Sequence, residues 1–500
     1  MTGKVSSSKP RNFQLSRRVF LRLIGVTYLI AFTSLLPQIL GLIGTQGLLP
    51  VEEYLSQAHD FFGSDAYYQF PTFLWLSASD TAVLAITWTG IIASTLVILG
   101  VFPIGLFALL WMLYLSLTIA GQSFLAFQWD ILLLETGLLA CLYSPWGWWP
   151  RPGRDSPVSG IVRWLVWALA FKLTFLSGIT KLVSGDPTWA GLTALTFHYQ
   201  TQPLPTSLGW YAHNLPSWVH VGTTAFMFFI ELIVPFIILL PSRLRRIRGI
   251  GCLLLCGLQI AIAATGNYGF FNLLTIALYM SLLDDSTLRQ FIPSFSKTRQ
   301  KDETPSVPVP KMWRVALIAV APVIACISFL TILEEIDTRP FSENRSYKIV
   351  QAVRPIRSIN GYGLFRVMTT TRPEIIVEVS QDEVSWNEQE FRWKPTDVRQ
   401  RPRLAQPHMP RLDWQMWFAA LDPAGNEHWL RRLMDKLLAD SSAVVSLLGD
   451  RSSPDTSPRY VRLAIYQYRY TTPAERDRTK NWWKRELMGY LTESVSLEAR

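Results

Sequence analysis

No charged residue occurs between Thr81 and Trp129. One bilayer crossing takes about 20 apolar residues, so this run is long enough for two, and a soluble core offers no place for it. The pair has to turn, and Gly100-Val101-Phe102-Pro103 is the place, because a proline cannot continue a helix. The rest of the chain is arranged around this uncharged hairpin.

Charged residues make up 17% of the 500 residues, against about 25% in an ordinary soluble protein. They are scarce from Val19 to Leu283 and dense after Arg339. That split predicts a membrane part first and a soluble domain second. The net charge of +10 has no basic stripe interleaved with aromatics, so membrane orientation explains it better than nucleic acid does. Cys141, Cys252, Cys256 and Cys326 all lie in apolar segments, so no disulfide framework is implied in the tail.

Residues 1–18 are polar and basic, and the first loop carries acids without Lys or Arg. The positive-inside rule therefore puts the N-terminus inside. The first apolar run, Val19 to Gly41, is too long for a signal peptide and reads as a retained anchor. Later loops alternate in the same sense. Arg151, Arg154 and Arg163 mark one inside loop, and Arg243, Arg245, Arg246 and Arg248 another. The fold class expected is an α-helical multi-pass membrane bundle of about nine spans, followed by a mixed, β-rich soluble domain on the outer or lumenal side. The bundle occupies residues 19–283, with an outer loop at 184–216. An inside linker covers 284–312, a last span 313–333, and the soluble domain 340–500. Within that domain Ile375 to Ser380 and Tyr460 to Tyr470 alternate as strands, while Arg411 to Ala420 and Trp429 to Leu448 have helical spacing.

Polar groups inside apolar spans are functional candidates by default, because each costs several kcal/mol to place there. Gln128, Asp130 and Glu135 sit in the stretch Gly121 to Tyr143, expected as the fourth span. Lys172 and Lys181 lie in the fifth span and Glu231 in the sixth. Nine residues separate the two lysines, so they point to opposite helix faces. Lys172, nearer mid-span, is the expected partner of Glu135, and Lys181 is expected to snorkel to the surface. The bland reading of the set is a clamp between helices; the sharper one is a buried base, since desolvation lowers a lysine pKa. Asp130 is expected to face the outer loop, fastening residues 184–216 to the bundle. That loop supplies His198, Tyr199, Gln202 and His213 as further candidates.

No GxGxxG, P-loop, HExxH, GxSxG or CxxC occurs, and Gly361-Tyr362-Gly363 is a weak glycine motif. No metal site and no cofactor are expected. Asn344-Arg345-Ser346 is a glycosylation sequon.

Several blocks resemble the lipase maturation factor family. FQWDILLLETGLLA (127–140) is similar to its membrane signature, and LTALTFHYQTQPLPTSLGWYAHNLP (192–216) to its long loop. GYGLFRVMTTTRPEIIVEVSQD (361–382), PRLDWQMWFAAL (410–421) and NWWKRELMGYL (481–491) resemble its C-terminal domain. The resemblance implies a multi-pass protein of the endoplasmic reticulum membrane, or of the inner membrane in a bacterium, with its tail on the lumenal or periplasmic side. It implies partners as well: the lipid bilayer and secreted, lipase-like client proteins whose folding and assembly it assists. It makes Arg411, Asp413, Trp414, Trp417, Trp482 and Trp483 candidates for client binding. Animal members carry lumenal cysteines, and this tail has none. The membrane half is also similar to the vitamin K-dependent carboxylase group, which supports an alternative: a membrane enzyme using Glu135, Lys172 and the loop histidines. A transporter is a third reading, weakened by the lack of an inverted repeat.

Overall fold

The computed structural model describes residues 13–150, 155–240, 244–291, 308–336, 345–449 and 457–497. Asn344 and most of the linker lie outside the described residues. The helices of the apolar spans are α1 (Gln14–Leu35), α2 (Asp80–Leu99), α3 (Pro103–Ala120), α4 (Gln128–Tyr143), α5 (Gly160–Val183), α6 (Ser217–Phe228), α7 (Arg245–Thr265), α8 (Phe271–Met280) and α9 (Lys311–Ile336), with shorter helices in the loops between them.

The uncharged run folds as the hairpin α2–α3. Ser79 caps α2 by accepting the Ala82 N–H, Gly100 ends it in the left-handed conformation (φ 91°), and Pro103 opens α3. This is the proline-in, glycine-out punctuation that helices favour. The stretch from Gly121 does not run as one helix. Gln122–Leu125 make a 3-10 turn, Phe127 is extended, and α4 begins only at Gln128. Its 16 residues rise about 24 Å. Among the described residues, seven helices are long and apolar enough to cross a membrane, α6 counting with its continuation to Ile238. Two of the nine expected spans, α4 and α8, fall short of that length. Residues 229–233 continue α6 as a π-turn, which carries Glu231.

Helix ends sort into two sets. At one, Arg17 donates to the Ser156 carbonyl (2.9 Å), Arg18 meets Asp155 (2.6 Å) and the Ser16 N–H reaches Asp285 (3.0 Å). At the other lie the end of α1, the start of α4, residues 184–216 and Asn267, and the C-terminal part docks there.

That part is a four-stranded antiparallel sheet in the order β2-β1-β3-β4, with β1 (Arg372–Ser380), β2 (Trp386–Glu388), β3 (Tyr460–Tyr470) and β4 (Trp483–Tyr490). Ile375 faces Ile465 and Val377 faces Leu463 across the central pair. The helical insertion is α10 (Arg411–Leu421) and α11 (Glu427–Leu438); helical spacing continues to Leu448 in sequence, but the chain turns and resumes only as Ser442–Val445. A short α12 (Pro473–Thr479) joins β3 to β4. The apolar core runs unbroken from α1 and α4 into α10 and α11. Phe127 and Trp129 pack on Trp414, and Phe124 on Trp429.

Candidate functional site

The polar residues of α4 meet the C-terminal part. Asp130 is fully buried, and Arg411 at the start of α10 grips it with two nitrogens, at 2.6 and 2.8 Å. The Tyr114 hydroxyl donates to the same carboxylate at 2.5 Å. The partner expected for Asp130 was the loop 184–216; its ion pair is instead with a residue 281 positions away. Gln128 accepts the Gly363 N–H at 3.3 Å.

One and a half turns deeper, Glu135 holds the Lys172 ammonium at 2.6 Å through Oε1. Its Oε2 accepts from the Tyr362 hydroxyl (2.6 Å) and the Asn360 N–H (3.1 Å). Lys172 and Glu135 thus meet as expected, and a C-terminal segment closes the other side of the carboxylate. Gly361-Tyr362-Gly363 is a close-packing turn here. A Cβ on Gly361 would lie 2.3 Å from a Glu335 oxygen, and one on Gly363 would lie 3.1 Å from Thr180 Oγ1. Gly137 serves α4 in the same way, since a Cβ there would meet the Tyr28 hydroxyl at 1.9 Å.

Lys181 does not reach the surface. It is buried, paired to Glu231 at 2.8 Å, and donates to the Ser177 carbonyl. The π-turn explains the difference, because it adds a residue to the helix turn and turns Glu231 toward α5.

The loop candidates are brought against the same seam. His198 is half-buried beside the Tyr268 hydroxyl (3.3 Å), which also bonds Gln202 Oε1 (2.8 Å). With the hydroxyl hydrogen on Gln202, the His198 ring donates from Nε2 and is neutral, and burial pulls its pKa down to about 4. Burial does the same to His213, whose ring lies 5.4 Å from that of Tyr470. Tyr199 packs against both His198 and His220, and its carbonyl accepts from the Gln202 amide at 3.2 Å. Asp186 caps the following turn and accepts the Met368 N–H at 2.7 Å. Arg372 donates to the carbonyls of Gln200 (2.8 Å) and Pro203 (2.9 Å) and also to that of Gln202.

The six client candidates of the tail are all buried. The Trp417 indole donates to the Thr201 carbonyl (2.8 Å) and that of Trp414 to the Asn267 carbonyl (3.2 Å). Trp482 packs on Trp210, and Trp483 stacks on Tyr470 at 4.2 Å. Asp413 accepts the Trp393 and Lys394 N–H groups, each at 2.9 Å, and burial pushes its pKa up to about 6. These side chains build the domain and its seam.

Sequence reasoning missed Tyr114, Asn360, Tyr362, Arg372 and the clamp at the end of α1. In that clamp Gln38 accepts the Arg411 N–H (2.9 Å) and Ser34 accepts the Met409 N–H (2.8 Å). A tyrosine in an apolar helix and polar residues in loops or at element ends gave no local signal. Among the described residues no group of three or more His, Cys, Asp or Glu side chains has metal-binding geometry. The three candidates on α4, Gln128, Asp130 and Glu135, are each engaged by fixed partners, so the arrangement is that of a joint.

Comparison with known proteins covers both halves of this joint. Residues 15–290 match the family described as the lipase maturation factor transmembrane domain, and residues 358–492 the lipase maturation factor C-terminal domain. Lipase maturation factor 1 of Bos taurus is 33% identical, over 98% of this chain and 90% of its own length. Lipase maturation factor 2 of Homo sapiens is 32% identical, over 97% of this chain and 83% of its own. That of Xenopus tropicalis is 33% identical, over 94% and 81%. No solved structure matches. These relatives are named as maturation factors and not as enzymes. With both halves matched, this multi-pass membrane protein belongs to the lipase maturation factor family.

Proposed function

We propose that the chain is a membrane-anchored folding and assembly factor for secreted, lipase-like clients. It crosses the bilayer about nine times, with the short helices α4 and α8 counted, and its N-terminus is inside. The C-terminal domain is then lumenal in an endoplasmic reticulum membrane, or periplasmic in a bacterial inner membrane. The sorting of helix ends into two sets supports this topology, with the basic loops at one end and the docked domain at the other. The exposed apolar faces of α7 and α9, such as Leu253 (72%) and Val315 (66%), suit contact with lipid.

The observation that carries the functional reading is the match of both halves to maturation factors over nearly the whole chain. In this reading the α4 carboxylates, Lys172 and Glu231 hold the bundle and domain together, and the outer-loop and tryptophan candidates complete the seam. Nothing favours the enzyme reading: Glu135 is held by Lys172, Tyr362 and Asn360, and none of the relatives above is named as an enzyme.

The test is complementation. Cells lacking their own lipase maturation factor are given this chain together with a secreted lipase. The expected outcome is a rise in lipase activity per unit of lipase protein. Unchanged specific activity, with this chain present in the membrane, would reject the reading. Deleting residues 340–500 is a poor substitute, because it strips Arg411 from Asp130 and damages the bundle as well.

A further inference from the structure

We infer that the seating of α4 in the membrane bundle is conditional on the docked C-terminal domain, through a charge latch between Asp130 and Arg411. Two features make α4 a weak membrane helix by itself. It has 16 residues, about 24 Å of rise against about 30 Å of hydrocarbon. It also carries two carboxylates, each of which disfavours insertion by about 3 kcal/mol on translocon scales.

The two carboxylates are neutralised differently. Glu135 finds Lys172 on α5, inside the bundle. Among the described residues, Asp130 has one hydrogen-bond donor from the bundle, the Tyr114 hydroxyl, and its direct counter-charge is Arg411, with Arg357 of the same C-terminal part acting on it from further away. Arg411 is itself buried; its guanidinium also donates to the Phe124 carbonyl (3.4 Å) and Tyr114 (3.5 Å) and lies over the Phe127 ring. It is aimed by backbone bonds that clamp residues 409–411 to Ser34 and Gln38 at the end of α1. Arg411 can therefore reach Asp130 only when the domain sits on the α1 C-terminal side. A domain undocked, or left across the membrane, leaves Asp130 buried with a hydroxyl alone. Stripping one member of a buried pair is far more costly than replacing both with apolar groups of similar size. The latch thus makes bundle integrity a readout of the domain's position.

Cys141, half-buried on α4, is a native probe. The full chain, with Cys252, Cys256 and Cys326 changed to alanine, is solubilised in mild detergent, and the alkylation rate of Cys141 by a maleimide is measured. Arg411→Met should raise that rate at least tenfold. Asp130→Leu combined with Arg411→Met should return it to within about threefold of the parent. Arg432→Ala breaks an exposed pair with Glu53 across the same seam and should leave the rate unchanged. The inference is overturned if Arg411→Met leaves Cys141 protected, if the double variant is as reactive as the single, or if Arg432→Ala exposes Cys141 equally. Should Arg411→Met fail to accumulate, recovery of the double variant supports the latch and its loss overturns it. None of these readouts uses a client, so they stand apart from the complementation test.

Discussion

The seam between bundle and domain and the outer edge of the sheet use the same chemistry under opposite conditions. At the seam, Glu135–Lys172 and Asp130–Arg411 lie in contact with almost no solvent exposure. At the edge, Lys484 pairs with Glu475 at a similar distance, 2.7 Å, with the two side chains 50% and 31% exposed. Distance does not distinguish them, but solvent does. A buried charge that loses its partner has no water to turn to, whereas an exposed one rehydrates at once. Ion-pair geometry alone therefore says little about what holds this protein together.

The sharpest way to break the comparison is at the seam. Lys172→Met strands Glu135 with the Tyr362 and Asn360 donors but no counter-charge. The expected loss is about 3–5 kcal/mol of stability, read as a fall in thermal midpoint in detergent. Glu135→Leu with Lys172→Met should recover most of it. If the double variant is as unstable as the single, the pair contributes its own attraction and the desolvation argument fails.

How much of this seam the sequence disclosed follows the range of each interaction. The α2–α3 hairpin was legible because its signals are local: an uncharged run, a glycine and a proline. So were β1 and β3, whose β-branched and aromatic runs are local signals, although residues 374–378 of β1 are buried on both faces. Lys172 was legible as the partner of Glu135 from helical depth alone. The Asp130–Arg411 pair was not, because its members are 281 residues apart and nothing local to either names the other. Lys181 misled for a different reason, since its partner is turned inward by a π-turn that regular helical spacing does not anticipate. β4 was also unread as a strand: Lys484, Leu487 and Met488 are exposed on an edge, and its pattern carries no clean alternation. The tryptophans were visible as markers, but rarity gave no indication that they face inward.

A middle case sharpens the comparison. Asp413 is buried in the domain with two backbone donors and Lys394 nearby, yet burial wins and its pKa rises from 3.8 to about 6. A raised carboxyl pKa means the folded state holds the proton more tightly. Its contribution is fully present below the unfolded pKa, near 4, and is lost as pH rises through about 6. The shift corresponds to at most about 3 kcal/mol. His198, His213 and His408 act in the opposite sense. Burial lowers each to about 4, so each withdraws stability as pH falls below 6.5. Only a difference between variants isolates the carboxyl. Asp413→Asn keeps an acceptor for both N–H groups and removes the charge. It should raise the thermal midpoint at pH 7.5, with the gain over the parent shrinking toward pH 4. A lower midpoint at pH 7.5 would mean that the charge is a net benefit where it sits.

The smallest effect is expected at the exposed edge, and it is the control on which the comparison rests. Lys484 is the first cause of the low pKa of Glu475, held at about 2, followed by the Thr472 N–H and hydroxyl. Those Thr472 contacts form a capping box at the start of α12. A depressed carboxyl contributes stability above its unfolded pKa of 4.5 and loses it as pH falls through 2, so at neutral pH the contribution is at its maximum and the test is fair. Lys484→Ala leaves the capping box intact and lets both former partners hydrate. No resolvable change in midpoint at pH 7 is expected, while Thr472→Ala, which removes the cap itself, should lower it measurably. A fall after Lys484→Ala comparable to that of Lys172→Met would mean that solvent is not what separates the two regions. The pairs at the seam would then have to be explained by geometry after all.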